Sequence, residues 1–352
     1  MDFRGNFKVA IVGYGYWGPN LVRNFTAAEG AVVSHVCDLN AERVKKAAST
    51  FPAVAVTQSL EDVLSDPTVD LIAVATPVST HHKLALLALK AGKHVMVEKP
   101  LTSSAKLARD IVATAERCKR QVFVDHTFIF TPAVQKMREI YKRGDLGRLL
   151  YYDSMRVNLG LFQHDVNVVW DLVPHDVAIL DFLLDGRMPV SASCTGVAHF
   201  GAQHADLAYL TLKYDDDFVA HINVNWLAPV KVRQILLCGD RRMLVYDDNS
   251  ASEKIKLYDS GVNIERTEDV YQALVQYRIG DILVPRLDTG EALEIEAGNI
   301  VAALRGTARP VCDGHAGARV VSVLEAADAS LGLGGEPVSI EGQRAGANTR
   351  IA

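Results

Sequence analysis

Through the first third of the chain, short apolar runs alternate with stretches in which apolar residues recur every three or four positions. The runs are Lys8 to Val12, Ala31 to Cys37, Val54 to Val56, Asp70 to Ala75, His94 to Val97 and Gln121 to Val124. Between them lie Ala41 to Ser49, Ser59 to Leu64, Ser79 to Ala91 and Ser103 to Arg120, with Gly92 placed to end the third. Runs without polar alternation read as strands buried on both faces, and strands separated by helices of this length build a right-handed parallel sheet.

Near Asp125 the period changes. A helix is predicted from Pro132 to Arg143, ending at Gly144, and then come strands at Ala208 to Tyr214, Phe218 to Asn225 and Arg233 to Cys238. No helical pattern separates these strands, and Asp215-Asp216-Asp217 is a hairpin turn between the first two. Consecutive strands imply an antiparallel sheet and a second layer architecture. Two late helices, Thr289 to Arg305 and Ala316 to Leu333, are expected to pack back between the domains. The expected fold is an α/β domain with a parallel sheet over residues 1–125, then an α+β domain with a mostly antiparallel sheet over 126–340. The tail from Glu341 onward, residues 341–352, is small and polar and expected to be mobile.

A length of 352 residues fits two domains, and 49% hydrophobic residues suffice for a core in each. The formal charge is −5 with no basic block, which argues against nucleic acid or an anionic membrane as partner and favours a small molecule. Cys37, Cys118, Cys194, Cys238 and Cys312 are odd in number and scattered, which argues against a disulfide framework or a zinc site. A reducing compartment follows. The chain enters its first strand within a few residues and contains no apolar run of membrane-spanning length, so a cytoplasmic protein is expected.

The chemistry begins where the first strand ends. Gly13-Tyr14-Gly15-Tyr16-Trp17-Gly18 carries the spacing G-x-G-x-x-G, with Pro19 at a first helical turn. In such a motif the first glycine permits the turn, the second lets backbone approach a pyrophosphate, and the third lets the helix lie on the strand. Asp38 stands twenty positions after Gly18, at the end of the second strand, where a carboxylate accepts both ribose hydroxyls and repels a 2′-phosphate. NAD is therefore expected over NADP, although Arg43 keeps NADP open. The competing reading of Asp38 is a helix cap before Ala41.

Ligands of open parallel sheets sit beyond the carboxyl ends of the strands, which adds Thr76-Pro77 and Glu98-Lys99-Pro100 to the candidates. Lys99 is placed to project its ammonium toward the nicotinamide end of a dinucleotide, unless it is simply solvated. In Trp170-Asp171-Leu172-Val173-Pro174-His175-Asp176, Pro174 predicts a helix beginning near Asp171. Asp171 and His175, four apart, then share a face, as an acid–base pair or as a cap and a packed imidazole. His81-His82 lacks a third ligand at suitable spacing, so no metal site is assigned. His199, His204 and His221 are read as packing or surface residues, and Arg156 and Asn158 as facing a substrate pocket.

The glycine fingerprint, Thr76-Pro77 followed by His81, Gly92-Lys-His-Val-Met-Val-Glu-Lys-Pro100 and Asp171-x-x-x-His175 together resemble the glucose-fructose oxidoreductase/inositol dehydrogenase/rhizopine catabolism (Gfo/Idh/MocA) family. The resemblance covers nearly the whole chain. It implies a Rossmann domain, a C-terminal domain with a large, mostly antiparallel sheet used to form a homodimer or homotetramer, and NAD(P)-linked dehydrogenation of sugars and cyclitols. It further implies that Lys99, Asp171 and His175 are the catalytic trio and that Tyr14, Tyr16, Trp17, Thr76, Pro77, His81 and Glu98 line the cofactor. Lys99, Arg156, Asn158 and His175 are the expected substrate contacts.

Two features depart from the family pattern. Phe128-Ile-Phe-Thr-Pro132 stands where an Arg-Phe-x-Pro segment is common, and Ala178 stands where an acid often follows the histidine. The wording around Asn20 and Asp176 is similar to members of sugar-nucleotide metabolism, so a nucleotide-linked sugar is the leading substrate class. The alternatives are a free sugar or inositol, or a regulator that senses the dinucleotide without turnover, which has no chemical need for Lys99.

Overall fold

The computed structural model describes residues 5–160, 166–200, 204–265 and 274–340. They form two compact units, Met1–Thr131 with Gly290–Ser322, and Pro132–Thr289 with Val323–Ala352. Residues 341–352, expected to be a mobile tail, lie outside the described residues. The return of residues 290–322 to the first unit differs from the sequence expectation, which gave everything from 126 to 340 to the second domain.

The first unit holds β1 (Phe7–Val12), α1 (Gly18–Ala27), β2 (Ala31–Cys37), α2 (Ala41–Thr50), β3 (Ala55–Thr57), α3 (Leu60–Ser65), β4 (Leu71–Val74), α4 (Val78–Lys90), β5 (His94–Glu98), α5 (Ala105–Cys118) and β6 (Val122–Asp125). All six strands are parallel, in the order β3-β2-β1-β4-β5-β6. The order reverses between β1 and β4, and a ligand crevice forms at the carboxyl ends beside such a switch. β4 is buried at every position and β1 at nearly every one, which is why neither shows polar alternation. Val9, Ile11, Leu71, Ala73, Met96 and Phe123 share one core with Leu21, Val22 and Phe25 of α1. Leu293, Ala297 and Ile300, from a helix almost three hundred residues along the chain, complete it.

The second unit opens with α6 (Pro132–Lys142), β7 (Leu149–Leu159) and α7 (Val168–Leu183). The strands β8 (Ser191–Val197), β9 (Leu207–Lys213), β10 (Val219–Asn225), β11 (Leu227–Gly239), β12 (Met243–Asp247) and β13 (Ile255–Tyr258) follow. β14 (Gly261–Glu265) and β15 (Leu274–Arg278) pair only with each other, and β16 (Ile282–Leu283) returns to the main sheet. After them come α8 (Ala292–Leu304), α9 (Gly314–Gly332) and β17 (Val338–Ser339); α8 belongs to the first unit. The main sheet has nine strands in the order β16-β13-β12-β11-β7-β10-β9-β8-β17, antiparallel except where β10 lies parallel to β7.

β9 and β10 alternate cleanly: Ala208, Leu210, Leu212, Ala220, Ile222 and Val224 are buried, while Tyr209, Lys213 and His221 face out. Asp215 to Asp217 turn the chain between them, as expected. β11 is longer than the sequence predicts. Its first half contains Pro229 and Lys231 and breaks the alternation, and the register against β7 shifts there, between Leu227 and Val232.

Candidate functional site

The three motif glycines face three different surroundings. Gly13 has φ +100°, and a Cβ there would collide with the Ala75 carbonyl that follows β4. At Gly18 a Cβ would collide with the Gly13 carbonyl, so the start of α1 lies directly on the turn. At Gly15, by contrast, an added Cβ meets nothing nearer than Arg43 Nη1 at 3.9 Å. That open space, next to the N-terminus of α1, is what a pyrophosphate requires. α1 has no acidic residue in its first turn and no capping side chain, so its amide donors and positive end stay available to phosphate.

Asp38, buried at the end of β2, is held from two sides. Oδ2 accepts from the Tyr14 amide at 2.6 Å and Oδ1 from the Asn40 amide at 2.8 Å. The cap of α2 is Asn40, whose Oδ1 accepts from the Glu42 and Arg43 amides, so the competing reading of Asp38 as the cap is overturned. Arg43 Nη1 lies 3.5 Å from Asp38 Oδ2. Tyr14 turns its ring into the core, whereas Tyr16 is 84% exposed and Trp17 is exposed beside it, the two rings edge to face.

Thr76 Oγ1 is 2.6 Å from Thr80 Oγ1 at the start of α4. His81 is fully buried, with Nδ1 3.0 Å from the Pro100 carbonyl and Nε2 2.8 Å from the Thr76 carbonyl. Burial lowers its proton affinity against the opposing pull of those carbonyls, and a neutral ring donates through one nitrogen. Both ring nitrogens thus face backbone, and the side chain ties the loop after β4 to the loop after β5. Lys99 begins that second loop, half-buried, and its amide donates to Glu98 Oε2 at 3.1 Å.

In the second unit, α7 starts at Val168, not near Asp171. Asn167 caps it, accepting from the Val169 and Trp170 amides, and Pro174 lies inside the helix beyond the first turn. Asp171 is therefore no cap, and its Oδ2 accepts from the Trp226 indole at 3.0 Å. His175 is half-buried one turn further on. Arg156, expected to contact substrate, is 3% exposed, and its Nε bonds Asp176 Oδ2 at 2.6 Å. The Tyr152 hydroxyl bonds the other Asp176 oxygen at 3.3 Å. Asn158 is half-buried near the end of β7.

The glycine turn, Asp38, Thr76, His81, Glu98 and Lys99 thus sit together in one unit, and Arg156, Asn158, Asp171 and His175 in the other. Sequence reasoning passed over Trp226, which gave no signal, and Asp125 and Glu296. Asp125 ends a strand of the parallel sheet, and Glu296 is an acid on the apolar stripe of α8; either feature would have marked them.

Residues 7–126 match the oxidoreductase family of Gfo/Idh/MocA type with an NAD-binding Rossmann fold, and residues 134–245 match the C-terminal domain of the same family. The chain belongs to the Gfo/Idh/MocA family. It is 28% identical over 326 residues to a UDP-N-acetylglucosamine 3-dehydrogenase from Acidithiobacillus ferrooxidans, an alignment covering 90% of this chain and 95% of that one. An inositol 2-dehydrogenase from Rhodococcus jostii is 30% identical over 190 residues, 53% of this chain and 52% of that protein. A putative oxidoreductase from Magnetospirillum magnetotacticum, known by crystal structure, superposes with a TM-score of 0.77 at 26% identity, covering 92% of this chain and 99% of that one. As a family member the chain is an NAD-binding oxidoreductase, and the open space at Gly15 beside the uncapped start of α1 fits that cofactor. Among the described residues no helix is long and apolar enough to cross a membrane.

Proposed function

We propose that this family member oxidises a secondary alcohol of a nucleotide-linked sugar, or reduces the matching ketone, with NAD as cofactor. The observation that carries the reading is Lys99 at the carboxyl end of β5, in the same unit as the glycine turn and Asp38. The substrate class rests on the UDP-N-acetylglucosamine 3-dehydrogenase that aligns along 90% of the chain, whereas the inositol dehydrogenase aligns along about half.

Gly15 and the N-terminus of α1 would hold the NAD pyrophosphate, and Asp38 the adenosine ribose. Bound NAD supplies the hydride acceptor. The chain's own task is the proton, because an alcohol is too weak an acid to ionise unaided near neutrality. His175 takes the hydroxyl proton, as a neutral imidazole can. Asp171, one turn earlier on α7, stabilises the resulting imidazolium. Lys99, beside the nicotinamide end of the cofactor site in its own unit, is the hydrogen-bond donor for negative charge that develops on substrate, a preorganised role of about 3 kcal/mol. The scattered free thiols, Cys37, Cys194 and Cys312 among them buried, support a reducing, cytoplasmic setting.

The test is incubation of the purified protein with NAD and a panel of UDP-N-acetylglucosamine, other UDP-sugars, free sugars and inositol, following absorbance of the reduced nicotinamide. Turnover of a UDP-sugar supports the reading. Turnover confined to inositol or a free sugar overturns the substrate class, and NAD binding with no turnover of any compound favours a sensor.

A further inference from the structure

Beside Lys99 three buried carboxyl groups meet. Glu98 ends β5 and Asp125 ends β6, and the two are register partners. Glu296 reaches them from α8. Their exposures are 7%, 2% and 1%. Asp125 is in the middle, within hydrogen-bonding reach of both glutamates. Yet Asp125 Oδ2 and Glu296 Oε2, both buried, have no hydrogen-bond donor among the described residues. A carboxylate only accepts, so two carboxylates side by side leave such oxygens unsatisfied, whereas a proton on one makes it a donor to the other.

The remaining neighbours fit the same count. The Thr127 hydroxyl donates to Asp125 Oδ1, and the Lys99 amide to Glu98 Oε2. His126, 1% exposed, is pushed down to about 3 by burial and by the Lys99 charge, so it stays neutral and offsets nothing. Burial first and Asp125 second hold Glu98 and Glu296 well above the usual carboxylic range; Lys99 opposes this at Glu98 and Thr127 at Glu296. Among the described residues no group of three or more acids, histidines or cysteines is arranged to hold a metal ion.

We propose that Glu98 and Glu296 are kept as carboxylic acids that donate hydrogen bonds to one carboxylate, Asp125, and that this set is the positioning anion for the Lys99 ammonium. The set carries a single negative charge, steadied by two acids and the Thr127 hydroxyl, against the single positive charge of Lys99. The positioning role rests on Lys99 acting in catalysis; the protonation pattern does not.

The experiment has two readouts on the full chain, neither needing a substrate. Infrared spectroscopy with 13C-labelled glutamate detects protonated glutamate carboxyls in the unchanged protein at neutral pH. Reductive 13C-methylation follows Lys99 by NMR, its resonance assigned with Lys99→Arg. The expected result is a protonated-glutamate band that loses about half its intensity in Glu296→Gln, since one of two acids is removed. The Lys99 resonance then keeps its chemical shift in Glu296→Gln, a neutral replacement of a neutral group, but moves in Asp125→Asn, which removes the anion. Absence of the band in the unchanged protein overturns the proposal even if neither variant folds. So does a Lys99 resonance that moves as far in Glu296→Gln as in Asp125→Asn. Wild-type turnover in Lys99→Ala would instead defeat the catalytic reading while leaving the band in place.

Discussion

Gly15 and Gly18 are two letters of one motif with opposite physical demands, and single substitutions separate them. Gly15→Val fills open space, so the fold should survive with an unchanged melting temperature while NAD binding weakens tenfold or more, about 1.4 kcal/mol. Gly18→Ala drives a Cβ into the Gly13 carbonyl and should lower stability itself. Thermal melts and NAD titrations on both variants check the pair. Asp38 already accepts two amide bonds, which fixes its carboxylate where a ribose would meet it. NAD should therefore bind more tightly than NADP, and Asp38→Ala should narrow the gap; equal or tighter NADP binding by the unchanged protein would contradict this. The turn from Gly13 to Gly18 was legible because the motif fixes backbone geometry at set spacings. The roles of His81 and Arg156 were not, because a side chain's partner across the fold leaves no trace in local pattern. Both were expected at ligands, and in the structure His81 meets the Thr76 and Pro100 carbonyls while Arg156 bonds Asp176.

The buried titratable residues make a signed prediction about stability. Glu98 and Glu296 have folded values raised above the unfolded one, so their stabilisation is full below about pH 4.3 and is lost as pH rises toward the folded values. His126 is the reverse: its folded value of about 3 is depressed, so its contribution is present above about 6.5 and is lost as pH falls. Stability should thus decline on both sides of mildly acidic pH. Glu296→Gln should flatten the decline on the alkaline side by about 1.4 kcal/mol per pH unit, one proton's worth. Denaturant melts from pH 5 to 8 measure it, and an unchanged slope would show that Glu296 is ionised in the folded chain.

Among the elements, α7 shows what pattern reading could and could not reach. Its apolar length was plain, but Pro174 drew the expected start to Asp171, because proline is most at ease in a first turn. Asn167 is the stronger signal: its side chain satisfies two amides that would otherwise be orphaned, and the helix tolerates proline one turn later. Asn167→Ala should cost about 1 kcal/mol in chemical denaturation. On the adjoining strand, Arg156→Ala leaves the buried Asp176 carboxylate with the Tyr152 hydroxyl at 3.3 Å as its side-chain partner among the described residues, and should cost about 3–5 kcal/mol. A loss under 1 kcal/mol would mean that Arg156 is free for substrate after all. The strands of the parallel sheet, and β9, β10 and the second half of β11, were visible in the pattern, since a one-sided sheet must alternate and a two-sided one must not; β8, β12, β13, β16 and β17 were not predicted. The parallel pairing of β7 with β10 was not, because pairing partners are chosen by the whole sheet.

Across the whole molecule, composition and period change announced two domains, but nothing local marked α8 as part of the first core. Leu293, Ala297 and Ile300 have the spacing of any amphipathic helix, and which core they join is decided by tertiary packing. The outer face of the nine-stranded sheet exposes Met155 and Tyr209, with Tyr209 stacked on His221. Such a face suits a symmetric partner, so a homodimer or homotetramer is expected, and light scattering at the monomer mass of 38.4 kDa at micromolar concentration would contradict it. The central proposal is narrower: Lys99 acts in the turnover of this NAD-binding oxidoreductase. Its most direct test is the turnover of Lys99→Ala on the identified substrate, measured beside its affinity for NAD. The account predicts that turnover falls by two orders of magnitude or so, about 3 kcal/mol, while NAD binding stays nearly normal; wild-type turnover would contradict it.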